Sequence, residues 1–340
     1  MKILQGSCID KVQELEDNSI DCVVSSPPYF GLRDYGVEGQ FGLEPTYQEY
    51  IANTVKLFAV MRPKLKDTAT IWWNVGDSYN QKQSAGDRVS KYSKKQKTNQ
   101  GNLGMAIESQ PSLKIKDLMM IPNRVAIALQ DDGWYIRSEI VWHKPNPMPE
   151  SVKDRPTSAH EKIWLITKNK KYYYDADAIK EPVVSSDKRN KRNVWTVTTK
   201  PFKGAHFATF PKDLIEPCIL AGCPEKVCIK CGKPQVKEFY RDKSTLPVKR
   251  NKRDGDGDRA IGGVYQKWLQ ENPLKVKIKP SCNCGVSFKP GVVLDPFGGS
   301  GTTGLVAKAN NRQAILIELN PEYIKLAEDR LEQELGSLLL

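Results

Sequence analysis

Five residues near the N-terminus, Ser25-Ser26-Pro27-Pro28-Tyr29, follow an apolar run and combine a hydroxyl, a stiff carbonyl-bearing backbone and a flat aromatic face. An exocyclic amine on a heteroaromatic ring is a poor nucleophile, because its lone pair is delocalised into the ring. The Ser26 hydroxyl and the Pro27 carbonyl could both accept hydrogen bonds from such an NH₂, favour a pyramidal nitrogen and aim its lone pair at a methyl donor. Pro27 and Pro28 in succession fix that backbone, and Tyr29 offers a face on which a base can stack. Taken alone, Pro-Pro-Tyr also suits a turn with a packed aromatic.

A second group starts 270 residues after Ser25, at Asp295-Pro296-Phe297-Gly298-Gly299-Ser300-Gly301-Thr302-Thr303. Here a strand end meets a helix start through three glycines, which let a ligand approach the backbone. Glu318 ends the next strand, twenty residues after Gly298, where a doubly wound fold presents a carboxylate to ribose hydroxyls. The loop lacks the Lys-Ser/Thr ending of a phosphate loop and is not GxGxxG, so a nucleoside without phosphates fits best. A third group, Cys228-x-x-Cys231 and Cys282-x-Cys284, has the spacing of two zinc knuckles, with tetrahedral Cys₄ zinc as the natural occupant. Cys223 could replace one ligand, and four free thiols are the plainer reading. Cys8, Cys22 and Cys218 sit among apolar residues and read as reduced core thiols.

The 340 residues carry 52 basic and 40 acidic side chains, a net +12 that points to a polyanionic partner. The charge is concentrated. Residues 78–116 hold eight Lys/Arg against two acids and residues 223–285 fifteen against seven, so these segments exceed the whole-chain charge and leave the rest near −2. Both lack helical or strand period and read as basic surface insertions, or more plainly as loops kept soluble by lysine. No run of eighteen uncharged apolar residues and no secretory leader is visible, so the expectation is a cytoplasmic chain without membrane contact.

The elements that must hold these groups alternate. Strands are expected at 20–26, 69–75, 135–143, 161–167, 292–295 and 314–319, and helices at 46–62, 122–133, 300–309 and 321–335. In the first helix Tyr50, Val55, Leu57, Phe58 and Met61 fall near one face. This is an α/β pattern wound over a mostly parallel, Rossmann-like sheet. The parts are a catalytic-motif segment (1–77), a basic insertion (78–116), middle motifs with a short target-recognition region (117–217), a basic zinc-binding insertion (218–290) and a cofactor-binding segment (291–340).

SSPPY resembles the (D/N/S)PPY motif of DNA amino-methyltransferases, and DPFGGSGTT followed by ILIELNPEYIKLAEDRL resembles their S-adenosylmethionine-binding segment. WWNVGDSY (72–79), DGWYIRSEIVWHKPNP (132–147) and RPTSAHEKIWLITKNKKYYYD (155–175) are similar to the family's middle motifs. With the catalytic motif ahead of the cofactor motif, the order resembles the permuted beta class found in bacterial and phage restriction-modification systems. The resemblance implies an S-adenosylmethionine-dependent methyltransferase fold with permuted motif order, to which the cysteine spacing adds a zinc-binding insertion. It implies duplex DNA as partner, base flipping, and an accompanying cognate restriction endonuclease as an open possibility. Phe297 would pack on the cofactor, Glu318 would hold the ribose with Asn320 close by, and PFKGAHFATFPKDL (201–214) would close over it through His206, Phe210 and Pro211.

In one respect the chain departs from the pattern: the family carries Asp after the glycine matching Gly6, against the cofactor adenine, where this chain has Ser7, with Asp10 as the other candidate. Trp72, Trp73, Trp142 and Tyr35 could line a base pocket but are read as core. Ser-Pro-Pro-Tyr is more typical of cytosine-N4 enzymes and Asp-Pro-Pro-Tyr of adenine-N6 enzymes, so N4-methylcytosine is the expected product. N6-methyladenine is the alternative, ahead of an RNA or protein-amide substrate and of a non-enzymatic nucleic-acid-binding zinc protein.

Overall fold

The computed structural model describes residues 1–81, 109–182, 188–199, 209–242, 265 and 267–336. They divide into two units, Met1–Glu225 with Pro290–Leu340, and Lys226–Lys289. The second unit starts eight residues after the expected insertion boundary at 218, because Cys218, Ile219 and Ala221 belong to a buried helix of the first.

The strands of the first unit are β1 (Lys2–Gln5), β2 (Ile20–Ser25), β3 (Leu65–Val75), β4 (Tyr135–His143), β5 (His160–Thr167) and β6 (Val194–Thr196), and then, past the second unit, β11 (Val292–Asp295) and β12 (Gln313–Glu318). They form one sheet in the order β1-β12-β11-β2-β3-β5-β4-β6. Only β5 runs against the others. Helices α1 (Cys8–Gln13), α2 (Tyr47–Met61) and α3 (Ile121–Asp131) pack on one face, and α4 (Lys212–Gly222), α5 (Thr302–Ala309) and α6 (Pro321–Gly336) belong to the other. Alternate strand residues serve the two faces: Val23, Ile71, Trp73 and Leu294 go to the first, and Cys22, Val24, Trp72 and Val293 to the second.

In α2 the buried stripe is Tyr47, Tyr50, Thr54, Leu57, Phe58 and Met61, with Thr54 in the place expected for Val55, which is only half-buried. The Thr54 hydroxyl donates to Tyr50 O (2.9 Å), which satisfies its polar atom inside the helix. Strand β3 starts four residues earlier than expected, since Lys66-Asp67-Thr68 hides the buried Leu65 from an apolar-run reading. No described helix is long and apolar enough to cross a membrane.

Strands β2 and β11 are parallel neighbours, with Cys22 opposite Val293 and Val23 opposite Leu294. Chain from β2 goes by way of α2 to β3 on one side, and chain from β11 goes by way of α5 to β12 on the other. The carboxyl ends of β2 and β11 therefore flank the switch point of the sheet, where an open α/β sheet leaves a crevice for ligands.

The second unit contains β7 (Lys226–Cys228), β8 (Gln235–Tyr240) and β9 (Lys275–Pro280), and β10 (Phe288–Pro290) closes it. β8 and β9 form an antiparallel hairpin from Gln235↔Pro280 to Tyr240↔Lys275, and β7 pairs with β10.

Candidate active site

Because β1, β2, β3, β11 and β12 run the same way, Ser7, Ser26, Asn74, Phe297 and Glu318 lie at or just beyond their carboxyl ends, on one edge. β4 brings Trp142 and Lys144 to that edge, and the reversed β5 starts there with Glu161. The SSPPY and DPFGGSGTT segments, 270 residues apart in the chain, thus become neighbours. One side chain ties them: Asp295, buried, accepts from the Ser25 hydroxyl (2.5 Å) and Phe297 N–H (3.0 Å) on Oδ1 and from the Thr303 hydroxyl (2.6 Å) on Oδ2. Burial pushes the Asp295 carboxyl up to about 7, against these bonds.

Two cavities adjoin along this edge, sharing Ser26, Tyr35 and Thr209 in their walls. The first has about 880 Å³ of empty space including its open mouth. Its wall includes Ser7, Pro28, Phe41, Phe297, Gly299, Ser300, Glu318, Asn320 and Tyr323. Glu318 accepts from Gly299 N–H on Oε2 and Asn320 N–H on Oε1, both at 2.8 Å, which fixes the carboxylate against the cavity. Burial raises its pKa. Phe297 meets Phe41 and Trp73 edge-on, at centroid separations of 5.2 and 6.0 Å.

Several expected cofactor residues work one layer back. Asp295, Gly298, Gly301 and Thr302 do not line the cavity. Gly301 caps α5 at φ +77°, a left-handed conformation that favours glycine, and Thr302 and Ser300 take hydrogen bonds from the Arg330 guanidinium (2.8 and 3.0 Å). Ser7 lines the cavity and Asp10 does not.

The second cavity is walled by Ser26, Pro27, Tyr29, Asn74, Trp142, Lys144, Glu161 and Phe210, among others. Its polar groups form a series: Ser26 Oγ donates to Tyr29 Oη (3.2 Å), and Tyr29 Oη donates to Glu161 Oε2 (2.6 Å). Asn74 Nδ2 also reaches Glu161 (3.2 Å), and Lys144 makes an ion pair with Glu161 over the Trp142 ring. Burial, then the Glu161 charge, hold the Tyr29 phenol well above its ordinary pKa, so it stays protonated and donates. Phe210 borders this cavity and not the first, and Pro211, the buried N-cap of α4, lines neither. His206 lies outside the described residues. Trp72 and Trp73 are core as expected, whereas Trp142 and Tyr35 do face cavities.

Sequence reasoning passes over Asn74, Lys144, Glu161, Thr209 and Phe41; the signal available is that the first three fall inside the quoted middle motifs and Thr209 inside the 201–214 segment, whereas Phe41 lies in no quoted motif. Gly76 of WWNVGDSY has a simple role, since a Cβ there would stand 2.7 Å from Tyr29 Cδ2 and closer still to Cε2. Gly76→Ala should displace a ring pinned by its hydroxyl and lower turnover about 10- to 100-fold with cofactor affinity unchanged, as a displacement of about 1 Å does. Steady-state kinetics beside cofactor titration checks this, and a wild-type rate would overturn it.

The four cysteines Cys228, Cys231, Cys282 and Cys284 of the second unit bring their sulfurs within 4.8 Å of one another. Cys223 is not among them; it is a buried thiol at the end of α4.

The chain is similar to known proteins over nearly its whole length. It is 41% identical to the type II methyltransferase M.XycI of Xanthomonas campestris pv. cyanopsidis, covering 99% of this chain and 89% of that protein. It is 40% identical to the type II methyltransferase M.SmaI of Serratia marcescens, covering 97% and 90%. Among solved structures, PvuII DNA methyltransferase (cytosine-N4-specific) shares the fold with a TM-score of 0.57 at 17% identity, over 99% of this chain and 92% of that one. The Thermus thermophilus protein TTHA0409, solved in complex with S-adenosyl-L-methionine, does so at 0.53 and 16% identity, over 98% and 93%. The N6_N4_Mtase family model, described as DNA methylase, matches residues 20–230 and 238–329, and with these relatives it establishes that the chain belongs to that family of DNA methylases.

Proposed function

We propose that the protein transfers a methyl group from S-adenosylmethionine to the exocyclic N4 amino group of cytosine in duplex DNA, with the target base flipped out of the stack. The observation that carries this reading is the pair of adjoining cavities that meet at Ser26, one walled by Phe297 and Glu318, the other by Pro27 and Tyr29. The first suits a nucleoside: an aromatic face, a fixed carboxylate for ribose hydroxyls, and Ser7 where the adenine would lie. When bound there, S-adenosylmethionine supplies an electrophilic methyl on a positive sulfur.

The chain's own part is to hold and deprotonate the amine. The Pro28 carbonyl accepts from the Tyr50 hydroxyl (3.1 Å), so the carbonyl assigned to the amino group is that of Pro27. With its hydrogen on Tyr29, Ser26 Oγ presents lone pairs to the same amino group. Methylation leaves a proton to be shed, and the Ser26, Tyr29 and Glu161 series gives it a route to a carboxylate. Cytosine is favoured over adenine by the Ser-Pro-Pro-Tyr form of the motif. The order of the motifs along the chain supports assignment to the permuted class, and the type II relatives support a role beside a restriction endonuclease.

The test is incubation of genomic DNA with labelled S-adenosylmethionine, digestion to nucleosides and identification of the labelled species by mass. N4-methylcytosine is expected; N6-methyladenine would overturn the base assignment, and no label in DNA would overturn the substrate.

A second surface fits the same substrate. On hairpin β8–β9, Lys275, Lys277 and Lys279 project to one face, and Glu238 pairs with Lys279 there (2.6 Å). Replacing all three lysines with Gln should weaken DNA binding several-fold at about 0.1 M salt and lower the slope of log K against log salt by about 2 to 3. Fluorescence anisotropy at several salt concentrations measures both, and an unchanged slope would remove the hairpin from the interface.

A further inference from the structure

The described residues of the second unit have very little core. Among its described residues the buried apolar side chains are Val227, Cys228, Pro234 and Trp268, while every residue of β9 is exposed and Phe239, Tyr240, Val276 and Ile278 of the hairpin lie open to solvent. A segment of about this size needs a staple when apolar burial is so small. The four cysteines sit where such a staple would act, Cys228 and Cys231 at the end of β7 and Cys282 and Cys284 between β9 and β10.

The backbone around them is folded into two tight turns. In the first, Gly232 N–H donates to Cys228 O and Cys228 N–H to Lys233 O, both at 2.9 Å, with Gly232 at φ +70°; Gly285 follows Cys284 at φ +66°. The Cys231 and Lys230 N–H groups point at Cys228 Sγ, and the Cys284 N–H points at Cys282 Sγ. Ser281 N–H reaches Pro234 O (3.3 Å), and Ile229 N–H reaches Ser287 O (3.2 Å), so the two turns are held beside each other by backbone bonds. The result is four sulfurs mutually within 4.8 Å, converging as a group. Sulfurs about 2.3 Å from one tetrahedral ion stand roughly 3.8 Å apart, whereas a disulfide would draw them into pairs at about 2.05 Å. No carboxylate or histidine among the described residues joins the group, and an all-thiolate tetrahedron favours zinc over hard cations.

We propose that Cys228, Cys231, Cys282 and Cys284 bind one structural Zn²⁺ that holds the second unit folded. The site is closed by four protein ligands, which leaves no open position for catalysis. It orders the hairpin that carries Lys275, Lys277 and Lys279 and takes no part in methyl transfer.

The test uses the full chain, purified without added metal, and reads metal content by mass spectrometry, independently of any reaction. One zinc per chain is expected, lost in the Cys228→Ser/Cys231→Ser variant. Because that variant can misfold, a second measurement uses the wild-type chain: zinc exchanged for Co²⁺ should give the visible and sulfur-to-cobalt bands of a tetrahedral thiolate site. Absence of stoichiometric metal, iron in place of zinc, zinc retained by the double variant, or an octahedral cobalt spectrum would each overturn the proposal.

Discussion

Replacing Ser26 with alanine is expected to lower turnover by about two to three orders of magnitude, while S-adenosylmethionine affinity changes by less than about threefold. Ser26 is shared by the two cavities, and its hydroxyl is the first member of the series that ends on Glu161. In the proposed chemistry its removal deletes one acceptor for the amino group and cuts the proton route, but leaves Phe297 and Glu318 in place. Companion variants separate the two roles. Tyr29→Phe keeps the ring for stacking and breaks only the route, so a loss of about 10- to 100-fold is expected, whereas Tyr29→Ala should lose more. Glu161→Gln keeps the shape and removes the carboxylate that ends the series, and should lower turnover about 10- to 100-fold with cofactor affinity unchanged; a wild-type rate would remove Glu161 from the route. A Ser26→Ala protein with the wild-type rate would remove SSPPY from the chemistry.

How far the sequence can reach depends on whether a feature is local. Strands β4 and β11 match their expected bounds, because each is an uninterrupted patterned run. Helix α4 is not legible from pattern, since Pro217 in its middle argues for a break, yet the helix absorbs it with Leu214, Ile215, Cys218 and Ile219 packed inward. Strand β9 has a legible signal in the strict alternation of Lys275-Val276-Lys277-Ile278-Lys279, masked by its reading as a charge run. Both motifs are visible as motifs, but their adjacency is a product of parallel β2–β11 pairing and has no local trace. The target-side groups are harder still. Asn74, Lys144 and Glu161 are single polar residues at or near the ends of three strands, and only the reversal of β5 brings Glu161 to the edge where the other two lie.

Asp295 stands behind the wall of the first cavity, and it carries the largest expected effect on stability. Its three donors, the Ser25 hydroxyl, Thr303 hydroxyl and Phe297 N–H, fasten the end of β2 to the end of β11 and the start of α5. Asp295→Ala leaves all three without this acceptor at about 1–3 kcal/mol each, enough to remove most of the stability of an ordinary domain. Asp295→Asn keeps Oδ1 for Ser25 and Phe297, and Thr303 can accept from the new amide by turning its own hydrogen toward Val24 O (3.5 Å). The two carboxyl-side forms, wild type and Asp295→Asn, should also differ in pH dependence. Burial raises the carboxyl to about 7 from an unfolded value near 3.8, so the folded state binds the proton more tightly. The stabilisation this gives is complete below about pH 4 and is lost as pH rises from there through about 7, a change of order 4 kcal/mol. The introduced amide does not titrate, so the Asp295→Asn protein should gain on the wild type between about pH 4 and 7 and keep a constant lead above about pH 8. Thermal and urea unfolding across that range measures the difference, and parallel curves would mean that Asp295 is ionised throughout. In that event the join between the two motifs would be a carboxylate held by three donors, and its pH sensitivity would have to be sought below about pH 4.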